Sequence, residues 1–119
     1  VAVAGKGIVF NDGVYERITD ATDALVAGLN ERAAAQGIKM ATNHVCGMFG
    51  IFFDVDRAEN FEHVSSSNVD KFNRFFHAML DAGVYLAPSA FEAGFLSATH
   101  DDAAIQTTLD AADAAFATL

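Results

Sequence analysis

Basic residues are scarce in this sequence: seven Lys and Arg stand against 16 Asp and Glu, and the formal net charge is −9. Proteins that bind nucleic acid carry a basic patch, and anionic membrane surfaces attract clusters of basic residues. We therefore expect neither a nucleic acid nor a membrane surface as a partner.

Cysteine and long apolar runs are also scarce. The single cysteine, Cys46, cannot close a disulfide within the chain, which is compatible with a reducing compartment. No apolar run approaches the ~20 residues that span a bilayer, and the first residues lack the charged-then-apolar order of a signal peptide. These absences predict a soluble protein, and we expect its location to be cytoplasmic.

The composition is that of a folded domain. The chain has 119 residues, of which 52% are hydrophobic and 19% charged. A chain of this size buries roughly two thirds of its unfolded surface. No linker, repeat or biased tract divides it, so residues 1–119 are predicted to form one domain. Because position 1 is Val, we expect that the initiator has been lost or that the chain is a piece of a longer one.

The hydrophobic pattern predicts three helices and four strands. An apolar stripe at helical spacing marks a first helix over residues 14–36, with Gly37 as its stop. Two further helices are predicted to start at capping boxes, formed by Ser67 with Asp70 and by Thr99 with Asp102. The strands are predicted over residues 38–45, 48–53, 84–87 and 94–98, and residues 54–67 are predicted as a surface loop. The order α-β-β-α-β-β-α favours an α+β fold, a small, mainly antiparallel sheet covered by helices.

Two candidate sites have common structural explanations. His44 and Cys46 lie two apart on a predicted strand, as a nucleophilic pair would, but nothing orients them, and a small buried thiol is much commoner. Acidic and imidazole side chains between residues 54 and 63 lack the spacing of a calcium or zinc site. We therefore expect that residues 54–67 form a solvated loop and bind no metal.

A Gly-Lys-Gly run at residues 5–7 resembles only a fragment of a phosphate-binding loop.

Glu92 has two interpretations. It lies in a predicted turn between two strands, with Pro88 before it and Gly94 after it. A carboxylate in such a turn is most often a solvated surface charge. The alternative is a carboxylate that a rigid turn directs into a cleft, and both interpretations stay open on the residues alone.

Four runs of residues carry a resemblance. They are NHV at 43–45, GMFGIFF at 47–53, FNRFFHAML at 72–80 and GVYLAPSAFEAGFLS at 83–97. In this order, and with few gaps from residue 13 to residue 119, they closely resemble the glutamate-1-semialdehyde 2,1-aminomutase family. The fourth run is the most specific evidence for this family, because so long a matching segment rarely occurs by chance.

The resemblance implies a pyridoxal-phosphate (PLP) enzyme of the aspartate-aminotransferase fold, in its class III branch, that works as a homodimer. The implied reaction isomerises a small-molecule substrate, glutamate-1-semialdehyde, to 5-aminolevulinate in tetrapyrrole biosynthesis. In such enzymes the cofactor acts as the electron sink, while the protein orients the reacting groups.

The chain also departs from the family. The family's cofactor lysine, its pyridine-binding aspartate and its phosphate-binding groups lie upstream of the matched region, and the only lysines here are Lys6, Lys39 and Lys71. The chain therefore resembles the C-terminal domain alone, inactive by itself, with no cofactor-binding residue of its own. Residues 1–12 are a poorly matched lead-in. Cys46 stands where the family usually has glycine.

One functional position carries over residue by residue. Glu92 matches the glutamate that this domain of the family directs toward the substrate, while Ser89 and Phe91 are expected to shape the turn as neighbours of the cleft. A carboxylate here would repel a substrate carboxylate and attract an amino group. Two other functions remain as alternatives: a free-standing α+β binding or interaction module, and a domain of a sister class III aminotransferase.

Overall fold

The computed structural model describes residues 13–119 and has the α+β architecture that the sequence predicts. The helices are α1 (Val14–Ala35), α2 (Phe61–Ser65), α3 (Val69–Asp81) and α4 (Asp102–Phe116), and the strands are β1 (Met40–Val45), β2 (Met48–Phe53) and β3 (Gly94–Phe95). The strands form one antiparallel sheet in the order β1-β2-β3.

The β1–β2 hairpin forms most of the sheet. Its register pairs Met40 with Phe53 at the open end and Val45 with Met48 at the turn. Strand β2 is buried from Phe49 to Phe53, and its side chains alternate between two apolar clusters. Since successive strand residues point to opposite faces, Phe49, Ile51 and Phe53 face the helices, while Phe52 packs on the other side of the sheet. The central strand is thus covered on both faces.

The main core joins the sheet to α3 and α4 through three fully buried aromatic rings. The Phe53 ring meets Phe75 of α3 edge-on, with 5.4 Å between centroids, and the Phe75 ring stacks on Phe116 of α4 at 5.0 Å. Leu25 and Leu29 of α1 belong to the same cluster. Burial of aromatic rings in such geometries is among the largest single contributions to a small core.

Helix α3 ends where a glycine is required. Gly83 has a φ of +89°, a left-handed conformation that other residues adopt with strain. There the N–H of Gly83 donates to the Leu80 carbonyl at 2.9 Å, and the N–H of Val84 donates to the Met79 carbonyl at 2.8 Å. Such bonds satisfy the last carbonyls of a helix and reverse the chain. The reversal leads into residues 84–93, where Val84 and Leu86 pack on the main core.

The prediction of a strand over residues 84–87 was wrong. This segment joins no ladder in the part of the chain that the structure describes, and it runs irregularly with Val84 and Leu86 packed on the core. An apolar run indicates burial, and burial does not require strand pairing. The last strand is also shorter than predicted, two residues rather than residues 94–98. The observed order is therefore α-β-β-α-α-β-α.

The loop predicted over residues 54–67 is more structured than a solvated surface loop. It contains the short helix α2, and Val55 and Ala58 are buried against Phe52 and Ala41 in the second apolar cluster. Acidic neighbours lowered the apparent hydrophobicity of the segment, so its two buried side chains gave no periodic signal.

Both predicted capping boxes were displaced along the chain. The N-cap of α3 is Asn68 rather than Ser67, and its side-chain oxygen accepts from the Lys71 N–H at 2.9 Å. The N-cap of α4 is Asp101 rather than Thr99, and it accepts from the Ala104 N–H at 2.8 Å. Adjacent Ser, Thr, Asn and Asp residues share the same capping chemistry, so the sequence alone does not choose among them.

Asp54 joins the end of β2 to the start of α3. Its carboxylate accepts from Lys71 Nζ and from Asn68 Nδ2, each at 2.8 Å. The hydrogen bond from the Lys71 ammonium, with that from Asn68, lowers the pKa of Asp54 below its ordinary value. The residue has a φ of +62°, a conformation that Asp tolerates better than most residues.

We expect the pair to make stability depend on acid. Because the folded state lowers the pKa of Asp54, the pair stabilises the fold at neutral pH, and this contribution is lost as the pH falls below about 4. The pair is partly exposed, so its worth is about 0.5 kcal/mol. Urea unfolding at pH 6 and pH 3 would show a smaller acid loss of the free energy of unfolding in Asp54→Asn than in the wild type. Asp81→Asn, an exposed position, is the control and should behave as the wild type; an equal acid loss in Asp54→Asn and the wild type would contradict the assignment.

Candidate functional site

A groove of about 580 Å³ opens beside the turn of the β1–β2 hairpin. Its walls come from the ends of both strands, from residues around α2 and from the segment just before β3. The polar side chains that line it are Asn43, His44, Glu59 and Glu92, and Phe61 and Phe91 supply much of its apolar surface. Its volume and its apolar lining with a few convergent polar groups make it the leading candidate for a site.

Glu92 is brought to this groove by a tight turn. The N–H of Glu92 donates to the Ser89 carbonyl at 3.1 Å, which closes a β-turn, and the N–H of Phe91 donates to Ser89 Oγ at 3.2 Å. Ala90 between them is 4% exposed and belongs to the main core. One residue of the turn is therefore anchored inward, while Phe91 and Glu92 remain exposed and line the groove.

The turn is held at the groove by close contact between β3 and β2. Gly94 pairs with Phe49, Phe95 pairs with Met48, and the N–H of Leu96 donates to the Gly47 carbonyl at 2.8 Å. A Cβ atom at position 94 would lie 2.4 Å from the Phe49 ring, closer than real atoms approach. A side chain at position 94 would force the Phe49 ring or the β3 backbone to shift, so Gly94 allows the strands to meet at this spacing and helps to set the position of the turn that precedes it.

The three predicted site residues therefore differ in their position relative to the groove. Glu92 and Phe91 line the groove, whereas Ser89 does not line it and accepts a hydrogen bond from the turn backbone through its Oγ. Asn43 and Glu59 also line the groove, although neither was predicted as a site residue from the sequence. These two residues are distant from residue 92 in the chain, and no local spacing links them to it.

His44 lies in the groove wall but does not form the nucleophilic pair considered above. Its Nε2 lies 2.9 Å from Asp23 Oδ1 of α1, and no hydrogen bond joins it to Cys46 within residues 13–119. Cys46 is exposed rather than buried, because it occupies the turn of the hairpin. Its φ of +50° lies in the left-handed region that favours glycine, the residue the resembled family usually has there.

Lysines and acidic clusters do not build a cofactor or metal site in this part of the chain. Lys39 pairs with Asp56 at 2.9 Å and Lys71 with Asp54 at 2.8 Å, and neither lysine lines the groove. The residues described here thus do not fit a cofactor that needs a lysine. Lys6 and the Gly-Lys-Gly run at residues 5–7 lie outside the described residues. No group of three or more potential metal ligands, and no helix long and apolar enough to cross a membrane, occurs within residues 13–119.

Comparison with solved structures defines the class of fold. The chain superposes on the FumI protein of Sphingopyxis sp. MTA144, solved in its PLP internal aldimine form, with a TM-score of 0.76 and 27% identity over 98% of this chain and 25% of that one. An omega-transaminase from Sphaerobacter thermophilus matches with a TM-score of 0.69 and 18% identity over 87% of this chain and 24% of that one. The fold is that of the C-terminal domain of PLP-dependent aminotransferases.

Comparison of sequences adds a particular relative. The chain is 51% identical, over 112 residues and 94% of its length, to a glutamate-1-semialdehyde 2,1-aminomutase of Bordetella avium (strain 197N). It spans about a quarter (26%) of the length of that relative. The resemblance to the C-terminal part of this family is thereby confirmed. No protein-family model matches the chain.

We expect Gly94→Ala to destabilise the domain by about 1–3 kcal/mol, because the added methyl group must displace the buried Phe49 ring or the β3 backbone. Urea unfolding of the single variants and of the double variant Gly94→Ala with Phe49→Leu measures the coupling. If the contact is the cause, Gly94→Ala costs less in the Phe49→Leu background. An equal cost in both backgrounds would show that the contact with Phe49 does not limit the spacing.

Proposed function

We propose that this chain is the C-terminal domain of a PLP-dependent glutamate-1-semialdehyde 2,1-aminomutase, an enzyme that converts glutamate-1-semialdehyde to 5-aminolevulinate for tetrapyrrole synthesis. The identity of 51% with such an enzyme over 94% of the chain supports the proposal most strongly. The superposition on a PLP enzyme at a TM-score of 0.76 agrees with it. By the same resemblance we propose that the full-length protein is a homodimer and works in the cytoplasm.

The contribution of this domain to the reaction is the groove with Glu92. The Glu92 side chain is exposed at the groove, on a backbone held by the Ser89 carbonyl. Glu59 adds a second carboxylate to the same lining. Negative charge in a cleft attracts an ammonium group and repels a carboxylate. We assign Glu92 the role of holding the amino group of the substrate and so orienting the carbon atoms between which that group moves.

The cofactor belongs to the rest of the proposed enzyme. Bound there, PLP supplies the electron sink for moving the amino group. Both lysines among residues 13–119 are engaged with carboxylates away from the groove, so this domain shapes the substrate side of the site. We therefore propose that the 119-residue chain alone does not turn over substrate.

In the full-length enzyme, Glu92→Gln should lower kcat/KM by about 10- to 100-fold, because the amide keeps the shape and loses the charge-assisted hydrogen bond to the amino group. Formation of 5-aminolevulinate measures the rate, and the absorbance of the bound cofactor should stay near that of the wild type. Glu62→Gln removes a carboxylate that lies on α2 and does not line the groove, and should leave the rate unchanged. Wild-type turnover in Glu92→Gln would remove the assignment.

Two alternative functions differ from this proposal in what they predict. A sister class III aminotransferase would be revealed if the full-length protein transferred the amino group to a second substrate rather than isomerising the first. A free-standing binding module is the other alternative, and an exposed apolar surface argues against it. Val45, Met48, Phe61, Phe91 and Phe95 are between 43% and 81% exposed, and all except Phe95 line the groove. Surfaces of this kind mark an interface.

We expect the purified chain to self-associate, because a domain separated from the rest of its enzyme leaves this surface uncovered. Sedimentation over a range of concentrations measures the association. Met48→Ser with Phe61→Ser should weaken it, whereas Tyr85→Ser, which changes an exposed ring outside the groove, should not. A chain that stays monomeric at every concentration would favour the free-standing module.

A further inference from the structure

We propose that Ser89 is a positioning residue for Glu92: its hydroxyl holds the turn in the one arrangement that presents the Glu92 carboxylate to the groove. This inference rests on the proposed function of Glu92 and extends it to a residue that does not itself line the groove. Ser89 has no contact with a substrate in this assignment, so its effect passes through Glu92.

Ser89 makes both hydrogen bonds that define the turn. Its carbonyl accepts from the Glu92 N–H at 3.1 Å, and its Oγ accepts from the Phe91 N–H at 3.2 Å. The two N–H groups belong to consecutive residues, and these are the two turn residues that line the groove. A rotation of either peptide unit would therefore break one of the two bonds.

The remaining turn residues cannot replace the hydroxyl. Pro88 has no N–H and contributes a fixed φ, and Ala90 is anchored in the core by its methyl group without a polar side chain. Within residues 13–119, Ser89 Oγ is the side-chain atom bonded to the backbone of residues 90–92. Without Oγ, the Phe91 N–H would bond to water instead, because Phe91 is exposed. The peptide unit before Glu92 would then be free to rotate.

The local chemistry explains why a small hydroxyl residue suits this position. An acceptor oxygen one atom beyond Cβ reaches the N–H two residues ahead and so forms the Ser/Thr turn. Threonine keeps that oxygen, whereas alanine and valine lack it. Because the bond is exposed, its net contribution to folding is small, and its removal should affect orientation at the groove more than stability.

The test uses the full-length enzyme with two matched pairs at position 89, Ser with Ala and Thr with Val. Ser89→Ala and Ser89→Val should lower kcat/KM for 5-aminolevulinate formation by about fivefold, the equivalent of one hydrogen bond. Ser89→Thr should stay within about twofold of the wild type. In the Glu92→Gln background the same Ser89→Ala change should have an effect below about twofold, since the group it positions is already lost. Cofactor absorbance and the melting temperature should not change.

The outcomes separate the two proposals. A strong defect in Glu92→Gln together with wild-type rates in Ser89→Ala and Ser89→Val overturns the role of Ser89 and leaves that of Glu92 intact. Equal losses from Ser89→Ala in both backgrounds overturn it as well, because they indicate a structural role that does not pass through Glu92. Wild-type rates in Glu92→Gln overturn the assignment of Glu92 and the role of Ser89 with it, while the aminomutase function stands. Full-length protein without aminomutase activity overturns the proposed function and both residue roles.

Discussion

Burial of β2 on both faces is the constraint on which the rest of the structure depends. Phe53 of this strand meets the rings of Phe75 and Phe116, which fixes α3 and α4 against the sheet. On the other face Phe52 packs with Val55 and Ala58. A strand covered in this way cannot slip by one residue, because every side chain would change faces. Its register therefore sets where its neighbours lie.

The candidate site follows from that register. The Phe49–Gly94 pair places the short strand β3, and the turn that holds Glu92 comes directly before it. Asn43 of β1 donates to the Ala58 carbonyl at 3.1 Å, which brings the segment before α2 to the opposite side of the groove. The groove is thus formed where loops leave a rigid strand pair, an arrangement in which a core positions side chains that take part in function.

The sheet and helices were more predictable than the contacts between them. The periodic stripes of α1, α3 and α4 and the dense apolar run of β2 identified these elements from local pattern. Residues 84–87 carry the same apolar signal as a strand, yet they pack without pairing. Burial and pairing look alike in a short apolar run, so only the position of the neighbouring strand distinguishes them.

The sequence by itself determined the α+β class, the β1–β2 hairpin and a turn within residues 88–93, because periodicity and turn chemistry act over a few neighbouring residues. Four runs of residues in the sequence also indicated the family resemblance that the comparison confirms. Only the tertiary structure decided that Glu92 faces a groove, that His44 pairs with Asp23 and that Lys39 and Lys71 are engaged elsewhere. These contacts join residues that are distant in the chain, and packing around β2, which no local pattern encodes, brings them together.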